Sequence, residues 1–179
     1  MAGGKSSRMK QDKALLPFGN YDSLAQYQYK RLSPYFDNIY ISAKSNKFDF
    51  DIDVIEDKYN NSSPLVALVS IFETLNEEEI FILSVDAPFI SKQTIEKLYK
   101  EAEDKNSVIV AKSNNGVEPL CGIYRRSVLD KAKEFLSEEN HRLQALLKSV
   151  DTQEVNIDTN EFMNLNYPFE YEEAKRRVN

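Results

Sequence analysis

Among 179 residues there is one cysteine, Cys121, and one histidine, His141. A lone thiol makes no disulfide framework and no multi-cysteine metal site. A lone imidazole excludes zinc sites that need two or more histidines. Cys121 lies in an apolar, strand-like run and reads as a buried thiol in a reduced compartment. No apolar run approaches the ~20 residues of a membrane span. The opening ten residues carry charges and no apolar stretch, so they form no signal peptide. No linker, repeat or low-complexity stretch divides the chain, and a 41% hydrophobic content is enough for one full core. Basic residues are the minority: a net charge of −6 and a pI near 5.0 argue against a general nucleic-acid binder. The expectation is one globular domain over residues 1–179, cytoplasmic, with no nucleic-acid or membrane partner.

What is present alternates. Residues 22–32 carry apolar side chains at helical spacing until Pro34 ends the pattern. "NIYIS" (38–42) and "IDVIED" (52–57) read as short strands. "SSPLVALVSIFETL" (62–75) brings its own start signal, Ser62 or Ser63 as cap and Pro64 at the first helical position. "IFILSVDAPF" (80–89) is the strongest strand, an apolar run that stops at Asp86, and Ser91 caps the helix over 94–102. "SVIVA" (107–111) and "PLCGIY" (119–124) are strands joined through the turn-rich "KSNNG". Helical segments near 127–137 and 139–148, the strand "QEVNI" and a helix from Pro168 complete the chain. The early strands are continuously apolar, which predicts a mostly parallel sheet covered on both faces. Ligands of such sheets sit outside the carboxyl ends of the strands. The opening loop, Ser42, Asp57 and Asp86 all converge on that edge.

The opening loop, "MAGGKSSRMKQDK", gathers Lys5, Arg8, Lys10 and Lys13 against the acidic balance of the chain. Its glycines permit close backbone approach, and N–H groups beside cations receive phosphate. The Walker A spacing is absent, so the pattern reads either as a polyphosphate cradle or as a loose terminus. Asp86, on a stiff frame at the ligand edge, offers a hard oxygen ligand suited to Mg²⁺; the plainer reading is a turn cap. Asp57 could accept hydrogen bonds from nucleobase N–H groups or merely be solvated. Asn164 and Asn166 in "NLN" read as a turn and helix cap or as ligand contacts. Arg142 reads as a surface cation or as a phosphate contact.

These residues resemble a known family. "MAGGKSSRM…DK" is similar to the L-A-G-G-x-x-x-R-M…K signature of nucleotidyltransferases built on a Rossmann-like sheet. Within them the chain resembles the molybdenum cofactor guanylyltransferases. "VIED" with "SSPLVALVSIF", "ILSVDAPFI", "EPLCGIYRRSVL", "HRLQALL" and "NLNYPFEY" follow that family's blocks in order, over nearly the whole chain. The resemblance implies a three-layer α/β/α sandwich of the nucleotide-diphospho-sugar transferase type. It also implies transfer of GMP from GTP to the terminal phosphate of molybdopterin, with Mg²⁺ as cofactor and transient contact with other molybdenum cofactor proteins. By matching position, Met1, Ala2, Gly3 and Gly4 contact the nucleotide, with Ser42 and Asp57 beside it. Lys13 and Arg8 act on the phosphates, Asp86 holds Mg²⁺, and Arg142, Asn164 and Asn166 face the pterin.

Three positions depart from the pattern: Lys10 replaces a glycine, "SPLVAL" replaces Gly-Pro-Leu-x-Gly, and Ser42 replaces an asparagine. The family also places an apolar strand before the glycines. We therefore expect such a strand upstream of Met1, with the opening residues loose and nucleotide affinity lowered in its absence. About 8 residues would supply it. Rival readings are a cobinamide-phosphate guanylyltransferase, a molybdopterin cytidylyltransferase or sugar nucleotidyltransferase, and a non-catalytic nucleotide-binding module.

Overall fold

The computed structural model describes residues 1–3, 11–157 and 160–178. Strand β1 (Tyr40–Ala43) pairs in parallel with β2 (Asp53–Glu56). A second group runs β3-β5-β4-β6, with β3 at Glu79–Leu83, β4 at Val108–Ser113, β5 at Gly116–Arg125 and β6 at Thr152–Asn156. β5 is antiparallel to both β3 and β4, whereas β4 and β6 are parallel. β3, β4 and β6 therefore point the same way, and β5 alone is reversed. Met1 and Ala2 lie between the two groups and bond to both. Met1 N–H donates to Leu83 O at 2.7 Å, Val85 N–H to Met1 O at 3.0 Å, and Ala2 N–H to Ser42 O at 2.8 Å. These bonds have the parallel pattern, so the mostly parallel sheet expected from the apolar strands is present. Met1 and Ala2, expected to be loose, are held by them.

Helices cover both faces. α2 (Pro64–Thr74), α4 (Leu129–Ser137) and α5 (Leu143–Leu147) pack on one, around Leu68, Phe72, Val108, Val110, Tyr124 and Leu146. α3 (Lys92–Glu101) covers the other around Ile95, Leu98, Ile109 and Ile123, joined by Leu32 of α1 (Leu24–Leu32). Val108 and Val110 face one layer and Ile109 and Ala111 the opposite one, as the two-residue period of a strand requires. α2 begins where its residues predict: Ser63 Oγ accepts from Val66 N at 3.1 Å and Pro64 takes the first turn. Every residue from Leu65 to Phe72 is buried, so this helix serves as core on all sides. α6 (Pro168–Val178) closes over Phe18 and Leu24 through Tyr171 and Ala174.

Three details differ from the sequence reading. β3 stops at Leu83, and Asp86 lies in the turn beyond it. Sheet bonding ends at Val85, and Pro88 has no N–H to extend it. The "SNNG" stretch closes a hairpin with Gly116 at φ +114°, which is why β5 reverses. Gly122 sits where a Cβ would meet Ile109 O at 2.5 Å, next to the register shift at Val110/Ala111, so that crossing needs glycine. The helix expected near 139–148 is shortened to α5: Glu139 takes φ 57° and Arg142 is extended, so helical geometry resumes only at Leu143.

Candidate active site

The carboxyl ends of β1, β2 and β3 meet beside Met1–Gly3. At the end of β3, Asp86 Oδ2 accepts from Lys13 Nζ at 2.5 Å, and Oδ1 accepts from Ser84 Oγ at 2.5 Å. Lys13 is fixed by a short 3₁₀ turn, Lys13–Leu15, which Asp12 caps by accepting from Ala14 N at 3.1 Å. Asp12 in turn pairs with Lys47, whose Nζ also donates to Ala2 O at 3.2 Å. Lys13 Nζ lies 3.4 Å from Asn166 Oδ1 as well. The segment bearing Asn166 is tied to the Asp86 turn, since Leu165 N–H donates to Asp86 O at 3.0 Å. Glu170 Oε2 accepts from Asn166 N at 2.7 Å and Tyr167 N at 2.8 Å, capping α6. Lys13, Asp86 and Asn166, remote in sequence, are thereby one contact group.

The Asp86 turn is held from behind by a residue with no sequence signal. Gln28, buried on α1, directs Nε2 at three carbonyls: Ser84 and Val85 at 3.3 Å and Ala87 at 3.1 Å. Its Oε1 accepts from Arg31 Nε at 3.1 Å and Nη2 at 2.6 Å, and Arg31 Nη1 also donates to Ile90 O. A glutamine in an amphipathic helix reads as surface, so neither Gln28 nor its target, Ser84, stands out in the sequence.

Across Met1–Gly3 lies a second polar group. Among the described residues, Ser42 Oγ and Asp57 Oδ1 are buried and have no hydrogen-bond partner. A Cβ on Gly3 would stand 4.0 Å from Asp57 Oδ2 and 3.7 Å from Ala43 Cα, so the glycine lies against the end of β1 and the Asp57 carboxylate. Burial raises the Asp57 carboxyl above its ordinary value, with nearby Lys44 opposing the shift. Unpartnered buried polar atoms are costly, which makes these two strand-end atoms candidate contacts for a ligand's polar groups.

The remaining expected residues fall as follows. Gly4 and Arg8 lie outside the described residues. Asn164 contributes its carbonyl to Asn166 N–H at 3.0 Å. Arg142 stands apart, at the start of α5, in a cleft of ≈ 500 Å³ with Pro64, Pro119, Leu120 and Lys148. The structure thus does not bring Arg142 and Asn166 together. Beside Asn166, the exposed rings of Tyr167 and Phe169 stack with centroids 5.7 Å apart, a feature the sequence reading missed. Among the described residues no cluster of three His, Cys, Asp or Glu side chains could cage a metal. Asp86 alone, its side chain 19% exposed, suits a divalent ion that completes its shell with phosphate and water.

A cation–carboxylate pair, a glycine approach and unpartnered polar atoms gather on the carboxyl edge of a mostly parallel sheet, where such sheets take their ligands. The particular family follows from comparison: the MobA-like NTP transferase domain matches residues 1–155, and the chain belongs to that family. It is 36% identical over 181 residues to a molybdenum cofactor guanylyltransferase of Campylobacter jejuni, covering 99% of this chain and 94% of that one. A Helicobacter pylori protein of the same name is 34% identical over 190 residues, covering 100% and 93%. The solved molybdopterin-guanine dinucleotide biosynthesis protein A of Archaeoglobus fulgidus superposes with a TM-score of 0.85 at 18% identity, covering 98% and 95%. No helix among the described residues is long and apolar enough to cross a membrane.

Proposed function

We propose that the protein transfers GMP from GTP to the terminal phosphate of molybdopterin, forming molybdopterin guanine dinucleotide and releasing pyrophosphate. The observation that carries this reading is the pairing of Lys13 with Asp86 next to the unpartnered Ser42 and Asp57. One group suits polyphosphate and the other suits a base. Guanine presents N1–H and the N2 amino group side by side, and a carboxylate accepts both, so Asp57 selects this base. Ser42 supplies a further donor or acceptor, and Gly3 lets the backbone lie against the nucleoside.

A pterin phosphate oxygen attacks the α-phosphorus, the α–β bridging bond breaks, and its electron pair leaves with pyrophosphate. Rate enhancement comes from placement and charge neutralisation, because no side chain need form a covalent intermediate. Lys13 faces the phosphates from a capped turn, and Gln28 fixes the turn that carries Asp86. Asp86 would hold Mg²⁺, which when bound neutralises phosphate charge and orients the reacting groups. Asn166 and the exposed ring of Phe169 face the acceptor: a flat heterocycle stacks on an aromatic face.

Incubation with GTP, Mg²⁺ and molybdopterin should yield the dinucleotide and one equivalent of pyrophosphate. Calorimetric titration should rank GTP well above CTP and ATP. CTP binding as tight as GTP, or binding without turnover on any phosphorylated acceptor, would overturn the reading.

A further inference from the structure

Ser84 is held through both of its backbone polar groups and aims its hydroxyl at the active-site carboxylate. Its N–H donates to Leu120 O on β5 at 2.8 Å, and its carbonyl accepts from Ala87 N–H at 3.3 Å and from Gln28 Nε2 at 3.3 Å. The next residue, Val85, donates its N–H to Met1 O at 3.0 Å, and the Asp86 carbonyl accepts from Leu165 N–H at 3.0 Å. The bond from Ala87 to Ser84 closes a tight turn that starts at Ser84 and carries Asp86. A serine at the head of a turn ordinarily bonds to the backbone two residues on. Here Ser84 Oγ donates to the Asp86 side chain, at 2.5 Å from Oδ1.

This bond gives the two oxygens of Asp86 different tasks. An ionised carboxylate only accepts, so the Ser84 hydroxyl is the donor. Oδ1 is tethered to the fixed head of the turn, whereas Oδ2 is turned to Lys13 Nζ at 2.5 Å. Oδ2 is thereby the oxygen presented to a cation. Among the described residues no cluster of three His, Cys, Asp or Glu side chains surrounds it, so the way Asp86 presents itself weighs heavily on which ion fits. Mg²⁺ demands near-ideal octahedral geometry and completes its shell with phosphate and water, whereas Ca²⁺ takes a larger, variable set and accepts carboxylates through both oxygens. The two oxygens of one carboxylate stand too close together to fill two octahedral positions.

We propose that Ser84 is a positioning residue that sets metal specificity: by holding Oδ1 it leaves Asp86 one oxygen for the ion, which favours Mg²⁺ over Ca²⁺ in the nucleotide complex. This rests on the reading that Asp86 holds the metal. The terminal torsion of an aspartate is broad, so the carboxylate needs a tether to keep one orientation. Without the hydroxyl it can turn both oxygens outward, and the larger ion gains.

The test measures GTP affinity by calorimetry in saturating Mg²⁺, in saturating Ca²⁺ and in EDTA, with no acceptor present, so that nothing turns over. The ratio of the Mg²⁺ and Ca²⁺ affinities reads the preference of the protein site, and in the unaltered protein it should favour Mg²⁺. Ser84→Ala should lower that ratio about tenfold, the worth of one hydrogen bond to a charged group. Ser84→Thr keeps the hydroxyl and should keep the ratio. A purely structural role would weaken affinity alike in all three media and leave the ratio unmoved. Should urea melts show that the Ala variant does not fold, Ser84→Cys, with its weak donor, carries the same expectation. Asp86→Ala should abolish the preference for Mg²⁺; if the preference survives there, the assignment of the metal to Asp86 falls and this proposal with it. If Asp86→Ala loses the preference while the Ala and Cys variants of Ser84 keep the unaltered ratio, the proposal alone is overturned. An equal loss in the Thr variant overturns it too.

Discussion

Replacing Gln28 separates the support of the active site from its chemistry. The amide Nε2 has two hydrogens and faces three carbonyls, at 3.1–3.3 Å, in the turn that carries Asp86. Gln28→Ala removes both donors and strands carbonyls in a buried setting. A net hydrogen bond contributes about 1 kcal/mol, and an unsatisfied buried acceptor costs about 1–3 kcal/mol. The expected loss is therefore about 2–3 kcal/mol, or roughly 4–12 °C in Tm for a domain of this size. Gln28→Glu is nearly isosteric, yet it turns a carboxylate oxygen toward three carbonyl oxygens. Its other oxygen still accepts from Arg31, but the repulsion is new, so Glu should cost more than Ala. Urea melts with unchanged slope give the stability order, and kcat measured well below the unfolding midpoint reports the displacement of Asp86. In both variants kcat should fall by more than tenfold while GTP affinity changes less. A Glu variant more stable than the Ala variant would refute the assignment of the donor to the turn.

Asp86→Ala should abolish turnover above background while the urea midpoint shows a folded protein. Lys13→Ala should lower kcat by about 10²–10³, the usual loss for one electrostatic stabiliser, and near-normal turnover in either variant would remove the pair from the chemistry. For Asp57 the sign follows from its raised pKa, since burial penalises the charged form in the folded state. Its contribution to stability is fully present below the ordinary carboxylate value and is lost as pH rises through the raised one. Asp57→Asn should therefore stabilise the apo protein at pH 7 and weaken GTP binding at least tenfold. In the unaltered protein GTP affinity should fall as pH drops through the raised value. Calorimetry across pH, with thermal melts, checks both. Phe169, 67% exposed, should matter to the acceptor alone: Phe169→Ser raises the KM for molybdopterin several-fold and leaves GTP binding unchanged in steady-state assays.

Legibility from sequence followed the range of each interaction. Ser63 with Pro64, and Ser91, announced helix starts that the structure reproduces, because a cap is decided within three or four residues. The apolar runs of β1 to β4 announced a sheet covered on both faces. The reversal of β5 was written in Asn114, Asn115 and Gly116, but hairpin turns compete with crossovers until the partners are known. Lys13, Ser42, Asp57 and Asp86 are candidates by family pattern, and the last three also by their place at or just beyond strand ends. Gln28 was not, since it acts through carbonyls more than fifty residues away that only tertiary structure brings near; Ser84 and Glu170, whose partners lie within four residues, carry no letter that separates them from ordinary surface polar residues. A backbone acceptor has no letter in the sequence.

The same distinction explains how the polar site tolerates its own cost. Ser42 and Asp57 leave buried atoms unpartnered, and that loss must be offset where the frame is strongest. The frame at this point is Met1–Gly3, bonded to β1 on one side and β3 on the other, with Gln28 and Arg31 fixing the turn beyond. Lys47 adds a tether, reaching both Asp12 and the Ala2 carbonyl, so the loop that bears Lys13 is anchored to the strand ends that bear Ser42. The Lys13–Asp86 pair and the Ser42 and Asp57 side chains are thus fixed to one short piece of backbone. A displacement of Met1–Gly3 would move both together.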